Sequence, residues 1–219
     1  MLQILSVLKV RLPVLFLSHR SHSSLCCSFC SLSLPLSLSL SLSLSLSLSL
    51  VDRRAVLLSP MTRIASSPGT PSASYCGALA SIYQLIEFAK QEGPFHAVFG
   101  FSQGAVMASL LLAHSRQLTR EGAANNPFAS VQCAILVSGY LNPLPSDEEI
   151  CVWYSGERES IPTPSLHIMG AADTRISNEQ SILFSQLFVR PVLHKHEKGH
   201  MIPERSKEKE LIRELLRSA

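Results

Sequence analysis

The spacing of apolar and polar positions changes character near Tyr75. From Ser31 to Leu50, serine and leucine alternate almost without a break, interrupted only at Pro35. Period-two alternation is the pattern of a strand. One this long and uniform, however, has no turn signal and no defined register. A hydroxyl at every second position also rules out a membrane span. A CT dinucleotide repeat encodes this pattern directly, because TCT and CTC read serine and leucine. The segment is therefore expected to be a translated repeat, or non-coding sequence drawn into a gene model, and to lack a fold. Ahead of it, "MLQILSVLKVRLPVLFLS" is apolar, but Lys9 and Arg11 interrupt the run instead of preceding it, unlike a cleavable signal peptide. After it, "VDRRAVLLSPMTRIASSPGTPSAS" holds one short apolar run and then a Ser/Pro/Gly-rich linker. The pattern divides the chain into an atypical, low-complexity and disordered segment, 1–72, and a folded domain, 73–219.

From Tyr75 onward the rhythm is that of alternating elements. Leu79, Ile82, Leu85, Ile86 and Ala89 recur at helical spacing over Ala78–Gln91, and Gly93-Pro94 ends the run. "FHAVFG" reads as a short buried strand, and Ala105–Gln117 as a helix. Val131–Gly139 and Pro164–Gly170 are apolar runs of strand length. "NEQSILFSQLF" predicts a helix, "RPVLHKH" a short strand and "ERSKEKELIRELLRS" a final amphipathic helix. Strands alternating with helices imply an α/β fold, a mainly parallel sheet covered on both faces. In such sheets chemistry collects at the carboxyl ends of the strands.

Composition narrows the options further. The chain has 219 residues, a formal charge of +3 and a pI near 8.6. Part of that charge lies in the C-terminal helix, where both signs are interspersed as on a solvated face. There is no basic stripe and few aromatic residues for base stacking, so nucleic acid is not an expected partner. Cys26, Cys27 and Cys30 cluster without a second Cys/His pair at a ligand spacing, so no metal site is expected. Cys76, Cys133 and Cys151 are scattered and read as free thiols of a reducing compartment. No N-x-S/T acceptor occurs.

The stretch "FGFSQGAV", 99–106, sits where a strand should hand over to a helix. Ser102 lies between Gly100 and Gly104, residues that suit a backbone bent too sharply for side chains. A serine hydroxyl becomes nucleophilic only when a base takes its proton, and the base needs an anchoring acid. The chain has three aspartates. Asp52 precedes the serine and Asp147 lies in a polar loop. Asp173 directly follows the strand "SLHIMG", where a strand-end carboxylate belongs. For the base, His200 in "HEKGHMIP" lies beyond the last predicted strand, with Gly199 allowing a tight turn. The other histidines are expected to be structural: His96 and His167 inside strands, His114 on a helix, His194 and His196 on or near the last strand.

"GPFHAVFGFSQGAV", "AILVSGY", "PSLHIMGAAD" and "HEKGHMIP", in that order, resemble the FSH family of serine hydrolases, and "YCGALASI" is similar to the family's helix start. The likeness runs from about Tyr75 to the C-terminus. It implies an α/β-hydrolase fold over 73–219, with Ser102 as nucleophile, Asp173 as orienting acid and His200 as general base. It also implies hydrolysis of carboxylic esters, with thioesters as a variant, without metal or cofactor, on small-molecule substrates in cytoplasm and nucleus. The Gln103 backbone N–H, at a helix N-terminus, is the expected oxyanion donor. The family's second donor motif, roughly L-H-G-x-x-Q-N, does not occur. Leu17-Ser18-His19 is its faint echo, without the glycine and the amide. The early strands of the sheet must come from "RLPVLFLS" and "RRAVLLS", or be absent, leaving Phe95–Phe99 as an open apolar edge. An acyl-protein thioesterase, which shares GFSQG, and a truncated non-catalytic relative are the alternatives.

Overall fold

The computed structural model describes residues 14–18, 55–57, 62–63, 75–76, 78–141 and 161–219. The Ser-Leu run, Asp52, Asp147 and Cys151 lie outside them. Six strands form one sheet: β1 (Val14–Ser18), β2 (Ala55–Leu57), β5 (Ala97–Phe101), β6 (Cys133–Val137), β7 (Ser165–Gly170) and β8 (Val192–His196). Their order is β2-β1-β5-β6-β7-β8, and every pairing is parallel. A separate antiparallel pair joins β3 (Thr62–Arg63) to β4 (Tyr75–Cys76). Four helices are described: α1 (Ala78–Glu92), α2 (Gln103–Arg120), α3 (Asn178–Ser185) and α4 (Ser206–Ser218).

The early side of the sheet is filled from the two stretches the sequence offered. β1 lies along β5 with Phe16 opposite Phe99, their rings stacked at 4.9 Å, and β2 continues outward from β1. The elbow strand is thus interior, and its edge is not open.

Side chains on parallel strands alternate between two cores. Leu15, Leu17, Val98, Ala134 and Leu136 face α1, α2 and α3, where Ile82, Leu85, Leu110, Leu111 and Phe184 complete the packing. Val14, Phe16, Phe99, Ile135, Val137 and Ile168 face the other way, toward Ile212 and Leu216 of α4. The result is the α/β sandwich expected from the alternation of elements. Most bounds shift by a residue or two. α2 ends three residues later than expected, at Arg120, and α3 three residues earlier, at Ser185, while the elbow strand begins at Ala97 instead of Phe95 and runs on to Phe101. His96 therefore precedes the strand instead of lying in it. Among the described residues no helix is long and apolar enough to cross a membrane.

Candidate active site

β5 ends at Phe101 and α2 begins at Gln103, so Ser102 alone makes the turn between them. Its φ is 54° and ψ −118°, a conformation that side-chain-bearing residues rarely adopt. The Ser102 N–H still donates to Val137 O at 2.8 Å, so the sheet ladder runs right up to the bend. Gly100 is needed because strand and helix touch there. A Cβ on it would fall 2.5 Å from Ala105 Cα and 2.6 Å from Gly104 O, both backbone atoms. Gln103 is the first residue of α2, with its backbone at the positive end of the helix dipole.

Asp173 follows β7, in a turn where Ala172 N–H donates to Lys198 O at 3.2 Å. His200 lies in the loop between β8 and α4. The structure brings the three residues together. His200 Nδ1 donates to Asp173 Oδ2 at 2.8 Å, and Ser102 Oγ donates to His200 Nε2 at 3.0 Å. The carboxylate dictates this tautomer, since an ionised carboxylate can only accept. Burial raises the proton affinity of Asp173, but hydrogen bonds from Ile176 N–H, His200, Arg175 N–H and Ser138 outweigh it. The carboxyl stays below the ordinary aspartate value of 3.8. The group is held as a carboxylate that accepts from the histidine, not as an acid that competes for its proton.

Two neighbours were not singled out from the sequence. Ser138, directly after β6, donates from Oγ to the same Asp173 Oδ2 at 3.0 Å. Like Ser102 it has a positive φ, 48°, and its N–H donates to the adjacent strand, to Ile168 O at 2.8 Å. Its signal in the sequence is slight, a serine before a glycine at the end of an apolar run. Phe101 lays its ring 4.9 Å from the His200 ring, limiting where the imidazole can swing. On the far side of β5, Leu17 is in register with Gly100, so the carboxyl end of β1 lies beside the elbow. His19 lies outside the described residues. His167 is buried in β7 between Phe184 and Phe188, and His194 and His196 are buried on β8.

The chain is similar to esterases of several animals. It is 31% identical over 138 residues to Esterase C25G4.2 of Caenorhabditis elegans, covering 63% of this chain and 58% of that protein. It is also 31% identical over 133 residues to human Esterase OVCA2, covering 58% of this chain and 51% of that one. The chain thus spans a little over half the length of these curated relatives. Among solved structures, Zea mays acyl-protein thioesterase 2 superposes with a TM-score of 0.46 at 20% identity, over 71% of each chain. The family model described as Serine hydrolase (FSH1) matches residues 64–212, which include Ser102, Asp173 and His200. With that match covering most of its length, the chain belongs to the FSH1 serine hydrolase family.

Proposed function

We propose that this chain hydrolyses carboxylic esters, and activated thioesters by the same chemistry, through an acyl-enzyme on Ser102. The observation that carries this reading is the unbroken relay from Ser102 Oγ to His200 Nε2 at 3.0 Å and from His200 Nδ1 to Asp173 Oδ2 at 2.8 Å. As Oγ attacks the acyl carbon, its proton passes to Nε2, and Asp173 stabilises the imidazolium without taking the proton. Negative charge then collects on the former carbonyl oxygen, where the Gln103 N–H at the start of α2 is the donor we assign. The tetrahedral intermediate collapses when His200 returns the proton to the leaving alkoxide or thiolate. Water, deprotonated by the same histidine, attacks the acyl-serine and releases the carboxylic acid. No step calls on a metal or an organic cofactor. We assign 73–219 as the main body of the hydrolase domain, with β1 and β2 from the N-terminal segment completing its sheet, and a cytoplasmic location.

Fluorophosphonate labelling of the full chain, beside its Ser102→Ala variant, tests the reading. Labelling and p-nitrophenyl ester hydrolysis in the parent, both lost in the variant, are expected. A folded parent chain that neither labels nor turns over would overturn it and favour a non-catalytic relative. Turnover confined to long-chain acyl thioesters would favour an acyl-protein thioesterase instead.

A further inference from the structure

Behind the loop that carries His200, β8 and α4 bury three more titratable side chains. His194, His196 and Glu208 are 9%, 4% and 3% exposed, and none belongs to the relay described above. His194 Nε2 donates to Glu208 Oε1 at 2.9 Å, which fastens α4 to β8. His196 makes a different contact. Its Nδ1 accepts the backbone N–H of Lys198 at 3.2 Å. An imidazole nitrogen accepts only when unprotonated, so this bond requires the neutral ring with its proton on Nε2. That Nε2, like Glu208 Oε2, is buried and finds no hydrogen-bond partner among the described residues.

The Lys198 amide is well placed to transmit this choice of protonation state. Lys198 O accepts the N–H of Ala172, the residue before Asp173, at 3.2 Å, and His196 O accepts Ala171 N–H at 2.7 Å. The two loops also lie backbone against backbone. A Cβ on Gly170 would fall 2.5 Å from Lys198 O and 2.6 Å from Gly199 O, and Gly199 is the residue before His200. The ring of His196 therefore holds the N–H of Lys198, the residue whose carbonyl, one peptide further on, ties the His200 loop to the Asp173 loop.

We propose that neutral His196 is a positioning residue for the His200–Asp173 pair, and that a proton on its Nδ1 releases the Lys198 amide and loosens the His200 loop. This rests on the esterase reading for its activity readout alone. Burial is the largest influence on the ring and lowers its proton affinity below the ordinary histidine value. Glu208 from α4 and Asp173 from the loop after β7 pull the other way. His194 on β8 and Arg205 ahead of α4 reinforce the neutral state. The loop is accordingly fastened at neutral pH and released as pH falls below the histidine range.

Two substitutions in the full chain separate the roles. His196→Asn keeps an acceptor near the Nδ1 position and cannot be protonated there, whereas His196→Phe fills the space with no acceptor. In p-nitrophenyl ester hydrolysis, H196F is expected to lose about ten- to a hundredfold in kcat with KM little moved, and H196N to stay within about threefold of the parent. On the acid side, parent kcat/KM should fall with two protons and H196N with one. By NMR, the Lys198 amide should lose exchange protection on acidification in the parent and keep it in H196N. A parent-like kcat in folded H196F, or an unchanged acid limb in H196N, overturns the proposal. If H196F does not fold, H196N decides alone. If the parent hydrolyses no ester, the esterase reading fails, and the Lys198 exchange result still decides the role of His196.

Discussion

Asp173 is surrounded by donors. Oδ1 accepts the backbone N–H groups of Arg175 at 2.9 Å and Ile176 at 3.0 Å, while Oδ2 is shared between His200 and the Ser138 hydroxyl. The two backbone bonds come with the turn itself, so a substitution cannot easily remove them. Apart from His200 itself, Ser138 is the side chain that donates to Asp173 among the described residues. Ser138→Ala removes that bond while leaving the backbone alone, and the freed lone pair lets the carboxylate rotate away from Nδ1. The expected outcome is a loss of about tenfold in kcat, equivalent to one hydrogen bond to a charged group, with a stability cost of about 1–2 kcal/mol. Steady-state kinetics beside a urea titration checks both. An unchanged kcat would mean that the turn amides alone orient Asp173. Ser102, Asp173 and His200 could be picked out because each lies just past a run that reads as a strand, in the order serine, aspartate, histidine: Ser102 directly after β5, Asp173 in the loop after β7 and His200 in the loop after β8. Ser138 was not, because its role depends on a bond across 35 residues that no local pattern encodes. Phe101 escaped for a similar reason. An aromatic beside the nucleophile looks like ordinary strand sequence until His200 is folded against it.

At the scale of elements, the strand most in question was the neighbour of β5, and β1 occupies that place. Val14, Leu15, Phe16 and Leu17 are all buried, two on each face, and the Phe16 ring stacks on Phe99 across the pairing. This strand therefore bridges both cores and closes the edge beside the Ser102 turn. Phe16→Ala is expected to cost about 3–5 kcal/mol, the usual loss for a buried phenylalanine, and to lower the chemical-denaturation midpoint accordingly. A midpoint equal to the parent's would show that β1 contributes nothing to the fold. The later elements were readable because apolar runs of five or six residues, separated by helical patterns, admit little besides a parallel sheet. β1 and β2 could only be offered as candidates. Their apolar runs are as good as the others, but they are flanked by low-complexity sequence that supplies no cap, turn or spacing signal. What settles their place is the exposed side of β5, a tertiary demand that no window of sequence contains. The start of the elbow strand shifted for the same kind of reason. Phe95 is wholly buried ahead of the strand, so hydrophobicity marks burial there and not pairing.

For the whole molecule, four titratable groups, His167, His196, Asp173 and Glu208, shape the acid side of stability, and they share one sign. Burial holds His167, packed between Phe184 and Phe188, down to about 3 from an ordinary 6.5. His196 is lowered from 6.5, chiefly by burial. For Asp173 and Glu208 burial pulls upward, but their hydrogen bonds outweigh it and leave both carboxyls below their ordinary values. In each case the folded chain binds fewer protons than the unfolded one on the acid side. Stability must therefore rise with pH through that window, and fall as pH drops below 6.5 toward 3. His167 alone contributes a slope of about 1.4 kcal/mol per pH unit within it. At the other end the sign reverses. Burial raises the Cys133 thiol from 9.0 to about 11, so between those values the unfolded chain ionises and the folded one does not. Stability should thus form a plateau from about pH 6.5 to 9 and decline on both sides. Urea midpoints measured at half-unit intervals test this, with His167→Phe as the discriminating variant. Its replacement ring keeps the aromatic contacts but does not titrate. The variant should lose less stability than the parent between pH 6.5 and 5, leaving the shallower dependence that His196 contributes. An acid limb of equal steepness in both chains would assign the proton uptake to groups other than His167.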